Sequence, residues 1–198
     1  MDKLKLRHLY LEKKLSSNEI AQIFQCSEHK INYWLNKFGI EKRTISEATY
    51  CKYNPKGDPF SFSAPKNRKD IFLFGLGLGL FWGEGSKRDS STLKICNSDP
   101  KLIKKFIDFL VKIYSIDKKK LRFQLQIYND FDVEKTLLFW ANFLKVEKSQ
   151  FYKTTILIHR GNGTYNRKMQ HGVLIVHFHN VKLKDLICSQ IANIKSVL

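Results

Sequence analysis

The sequence has few cysteines, no signal-peptide pattern and no apolar run long enough to cross a membrane. Its four cysteines, Cys26, Cys51, Cys96 and Cys188, form no CxxC pair, which disfavours a zinc ribbon or a disulfide framework. We therefore expect reduced thiols in a cytoplasmic protein. The first residues lack the apolar core of a signal peptide. The most apolar run, residues 71–82, is shorter than the roughly 20 residues that span a bilayer.

Acidic residues are also scarce relative to basic ones. The 198 residues include 35 Lys and Arg against 18 Asp and Glu, a formal net charge of +17. Residues 1–69 carry 14 basic and 7 acidic side chains, and residues 70–198 carry 21 and 11. A charge spread this evenly favours a protein that meets a polyanion along its length. Nucleic acid is the leading partner, although charge alone does not separate a nuclease, a repressor and a ribosome-associated protein.

The first 45 residues have the pattern of three short helices. Ser16 and Glu19 form a capping-box pattern before the second helix, and Ser27 is placed to cap the third. The third helix carries an apolar stripe at i, i+3, i+4 and i+7 from Ile31 to Phe38, and Gly39 follows as a C-terminal stop. The spacing resembles the resolvase-type helix-turn-helix family over residues 3–45.

The outer face of the third helix carries the candidate DNA-binding residues. Long or amide side chains there can reach base edges and phosphates in a major groove. The candidates are His29, Lys30, Asn32, Tyr33, Asn36 and Lys37. A three-helix bundle with a solvated face is the alternative.

Residues 46–69 are interpreted as a basic linker rich in turn-forming residues. With the preceding Arg43, a further candidate DNA contact, this segment either follows the phosphate backbone or a minor groove, or serves as a solvated tether.

The most informative segment, residues 71–86, alternates glycines with large apolar side chains and ends in a carboxylate. No phosphate-binding glycine motif fits it. As a helix it places Gly75, Gly79 and Gly83 on one face, where the absence of Cβ atoms permits close approach of another backbone. Each glycine costs about 1 kcal/mol of helix propensity, so three in register indicate a packing role. Glu84 follows at the end of the helix, and Gly85 is its expected stop.

Residues 77–86, GLGLFWGEGS, resemble the LAGLIDADG motif of homing endonucleases. Gly79 and Leu80 match its central Gly-Leu pair, Gly83 its small residue, and Glu84 its final acid. Departures are Gly77 in place of the opening Leu, Trp82 at the position of the first acid, and Glu in place of the commoner Asp. The resemblance implies a homodimer that pairs two such helices through Gly75, Gly79 and Gly83, with Glu84 as a ligand of Mg²⁺ or another hard divalent cation. A buried helix whose carboxylate caps a neighbour is the alternative.

The rest of the chain, residues 70–198, predicts an α+β domain with a curved antiparallel sheet backed by helices. Strands are expected at residues 88–95, 121–128, about 153–160 and 172–179, with helices from Asp99 to about 113, over 132–144 and at the C-terminus. The helix over 132–144 does not fit the simplest order of elements in the resembled family.

The polar face of this sheet would lie in the major groove in the resembled family; an ordinary solvated face is the alternative. The candidate DNA contacts on this face are Arg88, Lys94, Arg122, Gln124 and Gln126. Those on the glycine-bearing loop after residue 158 are Arg160, Arg167 and Lys168. The candidates to assist Glu84 in catalysis are Lys94, Gln126, Lys153 and Lys168. His177 and His179 share one strand face and, with His171, are candidate general bases.

These features favour sequence-specific binding of double-stranded DNA with metal-dependent phosphodiester cleavage. The alternative is a transcriptional regulator that binds DNA on the same fold without cleaving it. A third interpretation, an RNA-binding or ribosome-associated protein, explains the charge but not the glycine-stepped helix.

Overall fold

The computed structural model describes residues 1–87, 91–158 and 170–196. The chain divides into two compact units, Met1–Pro59 and Phe60–Leu198. The division falls inside the segment that the sequence analysis assigns to a linker.

The N-terminal unit is helical. Helix α1 (Lys3–Arg7) runs directly into a π-helical turn (His8–Glu12), and α2 (Ser17–Ile23), α3 (Glu28–Lys37) and α4 (Ile45–Tyr53) follow. The first three helices share a small apolar core, to which α4 contributes no buried residue. The buried members of this core are Leu6, Tyr10, Ile20, Ala21, Ile31, Leu35 and Ile40.

The predicted helix signals of this unit are present in the structure. The Ser16 side chain accepts a hydrogen bond from the Glu19 amide, and the Glu19 carboxylate accepts one from the Ser16 amide at 2.7 Å. At α3 the Ser27 side chain accepts a hydrogen bond from the Lys30 amide at 3.3 Å, without a return bond. Gly39 follows the end of α3 with φ +66°, a left-handed conformation that glycine adopts without steric cost.

Helix α4 lies where the sequence analysis expects a basic linker. Its capping box joins Thr44 and Glu47 reciprocally, and this Thr-x-x-Glu pattern is the sequence signal that the analysis missed. The second half of the expected linker belongs to the C-terminal unit. There Ser61 and Ser63 donate their amides to the carbonyls of Tyr114 and Ile113, both at 2.8 Å.

The C-terminal unit is α+β, as predicted. Its elements in chain order are α5 (Arg68–Glu84), β1 (Leu93–Asn97), α6 (Pro100–Tyr114), β2 (Arg122–Tyr128), α7 (Val133–Leu144), β3 (Thr155–Leu157), β4 (Val173–Phe178) and α8 (Val181–Lys195). Leu93 and Ile95 of β1 and alternate residues of β2 are buried against a core that all four helices of this unit share. Within the described residues, no helix is long and apolar enough to cross a membrane.

The sheet is mixed, so the prediction of an antiparallel sheet is wrong at one pairing. The strand order is β1-β4-β2-β3; β4 pairs antiparallel with β1 and β2, whereas β3 pairs parallel with β2. Parallel neighbours need a crossover connection, usually a helix, and α7 lies between β2 and β3 in the chain. The helix that fits the expected order poorly is therefore the crossover that makes this edge parallel.

The strands are also shorter than predicted at three places. The first begins at Leu93, after Ser91 and Thr92, which lie outside it; residues 88–90 are outside the described part of the chain. β3 spans three residues where a strand over about 153–160 is predicted, and residues 159–160 are likewise outside the described part. β4 ends at Phe178, so His179 lies just beyond it.

Candidate nucleic-acid interface and carboxylate site

The end of α5 is fixed to the edge strand β1. Gly85 forms an antiparallel bridge with Ile95, and the Ser86 amide donates to the Lys94 carbonyl at 3.0 Å. A Cβ on Gly85 would lie 2.3 Å from the Phe81 carbonyl oxygen. The helix does end at Gly85, as predicted, but its φ is −78°. Glycine is therefore needed there for this close approach rather than for a left-handed turn.

Glu84, the last residue of α5, is exposed beside β1. Desolvation raises the pKa of the Cys96 thiol on β1, and the negative charge of Glu84 raises it further. The candidate metal ligand therefore lies close enough to this strand to influence it electrostatically. The carboxylate is open to water and to an incoming ligand.

The glycines of α5 divide into two sets. A Cβ on Gly75, Gly79 or Gly83 would meet nothing within 4 Å, whereas one on Gly77 would lie 2.1 Å from Cγ of the Phe109 ring. Gly77 is therefore the glycine that lets α5 approach α6 inside the unit. The other three form an open stripe, which we call the glycine face.

The polar face of the sheet brings three basic or ionisable side chains into one row. Lys94 of β1 and Arg122 of β2 each lie opposite His177 of the central strand β4. Gln124 and Gln126 follow along β2, on the same face as Arg122. Lys94 and Arg122, which flank β4, are half-exposed.

Two of the candidate contacts on β2 already hold protein partners. The Arg122 guanidinium donates to the carbonyls of Lys119 and Leu121 at 2.8 and 2.9 Å. The Gln124 amide donates to the Thr155 hydroxyl at 3.0 Å. These bonds fix the direction of both side chains.

The candidate catalytic assistants do not converge. Lys94 adjoins the segment that carries Glu84, but Gln126 lies on β2, two strands away from β1. Lys153 precedes β3, at the opposite edge of the sheet. At about 4.8 Å per strand, β3 lies roughly 14 Å from β1. Of the described candidates, only Lys94 is placed beside the Glu84 segment.

The exposed face of α3 carries five of the six DNA contacts predicted on this helix. His29, Lys30, Tyr33, Asn36 and Lys37 are exposed on it. The Lys37 ammonium lies over the Trp34 ring at 4.8 Å from its centroid. Asn32 is half-buried and accepts a hydrogen bond from the Ser17 hydroxyl at 3.1 Å, across the α2–α3 turn.

Arg43 has a structural role that the sequence analysis did not foresee. Its guanidinium donates to the carbonyls of Lys14, Tyr10 and Leu15 and stacks 4.2 Å from the centre of the Tyr10 ring. These hydrogen bonds satisfy one backbone carbonyl inside the π-helical turn and two that follow it. The predicted phosphate contact would compete with these bonds.

His177 and His179 share a face, as predicted, with ring centroids 5.9 Å apart. His179 is hydrogen-bonded to the Tyr152 hydroxyl at 2.7 Å and to the Thr92 hydroxyl at 3.1 Å. No local pattern in the sequence points to this contact, because Tyr152 lies in an irregular segment 27 residues before His179.

His171 does not join this group. It lies in a turn, two residues before β4. Its ring stacks on Phe139 at 3.5 Å, and desolvation lowers its pKa. The ring of His171 thus packs against α7 and not beside His177 and His179, and its role as a general base stays a prediction.

A buried lysine near Glu84 also escaped the sequence analysis. Lys184 of α8 is only 4% exposed, and its ammonium donates to the carbonyl of Lys87 at 3.3 Å. It holds α8 to the segment three residues after Glu84. The available signal was a charged residue beside Leu183, at a core-facing position of the last helix.

Four predicted residues, Arg88, Arg160, Arg167 and Lys168, lie outside the described residues. Within the described ranges, no group of three His, Cys, Asp or Glu side chains is arranged to hold a metal ion. Glu84 is the carboxylate that the end of α5 offers to a cation. Such a donor fits Mg²⁺, which binds through one or two carboxylates, keeps several waters and takes substrate phosphates.

Comparisons with models of protein families, with curated proteins and with solved structures gave no match to this chain.

Proposed function

We propose that this protein binds double-stranded DNA in a sequence-specific manner and cleaves its phosphodiester bonds in a Mg²⁺-dependent reaction, as a homodimer. The observation that carries the proposal is the form of α5. Its glycine face is open over about two helical turns, and an exposed carboxylate follows it at the edge of a polar sheet face. The resemblance to the LAGLIDADG motif gives the same residues the same roles.

In this proposal the glycine face packs against the same face of a second copy. Symmetric dimers use the same patch on both subunits, and the two Glu84 side chains then lie at the ends of adjacent helices. This arrangement brings a second carboxylate, that of the partner copy, to the site. It also predicts a target of roughly palindromic sequence.

Each side chain of the site has a defined task. Glu84 holds the cation, and Lys94 provides positive charge next to the Glu84 segment for the negative charge that develops on the phosphate. A bound divalent cation would polarise the phosphate and promote attack by water. The exposed face of α3 and the side chains of β2 bind the flanking duplex, where Arg favours guanine and Gln favours adenine.

The test is a cleavage selection on a randomised duplex library with Mg²⁺, using the wild type, Glu84→Gln and Glu134→Gln. Glu134 is exposed on α7 and controls for the loss of one negative charge. We expect specific double-strand breaks with the wild type and the control. Glu84→Gln should lower the cleavage rate by at least about 100-fold, a magnitude typical of an electrostatic group at a reacting centre. It should still bind the duplex.

Sedimentation of the same proteins reports the oligomeric state. Specific duplex capture by all three proteins without any cut product would refute cleavage and leave a regulator on this fold. A wild type that cleaves as a strict monomer would refute the shared site.

A further inference from the structure

A groove lies between α5 and α6 at the opposite end of α5 from Glu84. Arg68 and Glu84, the first and last residues of α5, are about 24 Å apart at 1.5 Å per residue. The groove has a volume of about 700 Å³ and is open to solvent along one side. The proposed function makes no use of it.

The floor of the groove is apolar. It is formed by Phe72 and Leu73 of α5 and by Ile107 and Val111 of α6. Phe72 is 69% exposed and Val111 37%, so apolar surface remains accessible there. Three of these four side chains are aliphatic, which suits aliphatic ligand groups better than stacked bases, because bases prefer aromatic platforms.

The rim of the groove is strongly basic. Five of the lining residues are cations and one is an acid: Arg68, Lys69, Lys105, Lys112 and Lys118 against Asp108. Lys112 is paired with Asp70 at 2.5 Å, but within the described residues Arg68, Lys69 and Lys105 form no ion pair. The rim therefore keeps positive charge on both helices.

The environment of Lys118 is consistent with this excess charge. Desolvation lowers its pKa, and the neighbouring Lys104 lowers it further, although Asp108 acts in the opposite direction. Its ammonium also donates to the carbonyls of Leu144 and Lys145. An anionic group close to it would relieve the repulsion between these lysines.

We infer that this groove binds an acidic amphipathic peptide segment of another protein, with apolar side chains on the floor and carboxylates on the rim. Helix-in-groove recognition requires apolar anchors at i, i+3, i+4 and i+7, and charge complementarity selects acidic flanks. Residues 1–59 contain 11 basic and 7 acidic residues and residues 60–198 contain 24 and 11. Either unit, or a second copy, would thus bring like charge to this rim.

The experiment titrates a fluorescein-labelled synthetic peptide of about four helical turns into the full-length protein and follows anisotropy. The peptide carries Leu at i, i+3, i+4 and i+7 and Glu at most other positions. We expect saturable binding that the double variant Lys69→Glu/Lys105→Glu weakens by about tenfold or more. Val111→Glu, which places a carboxylate on the floor, should weaken it similarly. Lys135→Glu should change it less than about twofold: Lys135 is exposed on α7, does not line the groove, and lies about 14 Å along α7 from the Leu144 carbonyl that Lys118 contacts, beyond the screening length of about 10 Å.

Further arms distinguish the possible results. A peptide of the same composition with scrambled anchors should bind at least about tenfold more weakly. Equal binding of both peptides, or no saturation, overturns the inference. A single-stranded oligothymidylate serves as a competitor. If it displaces the peptide, and if the double variant no longer binds it, the groove is instead a nucleic-acid site. Because Glu84→Gln should leave peptide binding unchanged, this test is independent of the cleavage proposal.

Discussion

At the scale of single residues, the glycines of α5 have opposite roles although their neighbours in the sequence are alike. Gly77 faces the buried Phe109 ring, whereas Gly79 faces nothing within 4 Å. Gly77 therefore contributes to the packing of the unit itself. The glycine face is costly for a lone helix, and the proposed dimer would offset that cost.

The matched variants Gly77→Ala and Gly79→Ala test this division. Gly77→Ala should destabilise the C-terminal unit by about 1–3 kcal/mol, because Phe109 must move in a packed core. Gly79→Ala should stabilise the monomer by up to about 1 kcal/mol through helix propensity and should weaken the proposed dimer. Urea unfolding at low protein concentration measures the first effect, and sedimentation over a range of concentrations measures the second.

The result that would contradict this division is a Gly79→Ala protein that dimerises as tightly as the wild type. Equal destabilisation by both substitutions would contradict the open face itself. A Gly75→Ala variant provides a second probe of the same face, about two and a half turns from Glu84.

At the scale of elements, the capping box of α2 links stability to pH. Hydrogen bonds from the Ser16 amide and hydroxyl lower the pKa of Glu19 from its ordinary value of 4.5, and the charge of Arg43 contributes less. A carboxylate with a lowered pKa in the folded state stabilises that state above its unfolded pKa. This contribution is lost as the pH falls from about 4.5 through the lower folded value.

We expect Glu19→Gln to abolish this part of the acid sensitivity of the N-terminal unit. Near pH 7 the variant should exchange the amide hydrogens of α2 faster than the wild type, and this difference should shrink below pH 4.5. Hydrogen exchange of α2 and α3 between pH 3 and pH 7 measures it, after correction for intrinsic exchange rates. Glu41→Gln, outside the helices, is the control. A difference that is constant with pH would contradict the linkage.

The elements also show what could be predicted from the sequence. Period-2 alternation predicted β2, and caps predicted α2 and α3, because these signals are local. The parallel pairing of β3 was not predicted, because a strand of three residues is too short to show a period-2 alternation of apolar and polar side chains. Its direction relative to β2 depends on the crossover through α7. Arg43 was taken for a DNA contact because its carbonyl partners, 28 to 33 residues away, leave no mark in the sequence.

The candidate site was only partly predictable for the same reason. The end of α5 at Glu84 follows from the glycine pattern. Its nearness to β1 depends on the Gly85–Ile95 bridge, and the separation of Lys94 from Lys153 depends on strand order. The contact between Lys184 and Lys87 joins two segments nearly 100 residues apart, which no local pattern predicts.

At the scale of the whole molecule, both units carry a positive charge and each presents one of the proposed DNA-binding surfaces. If α3 and the sheet face bind the same duplex, their phosphate contacts must add. The slope of log K against log salt concentration changes by about 0.9 for each phosphate contact. Salt dependence therefore counts how many contacts each unit makes.

We expect Lys30→Ala on α3 and Lys94→Ala on β1 each to reduce the steepness of this slope by about 0.9 per contact removed, which doubles in a homodimer. The double variant should show the sum of the two changes, whereas Lys13→Ala, exposed outside both surfaces, should leave the slope unchanged. Fluorescence anisotropy with a selected duplex between about 50 and 200 mM salt measures all four slopes. A change confined to one of the two variants would mean that a single unit holds the DNA; in that case the charge of the other unit must serve a different partner.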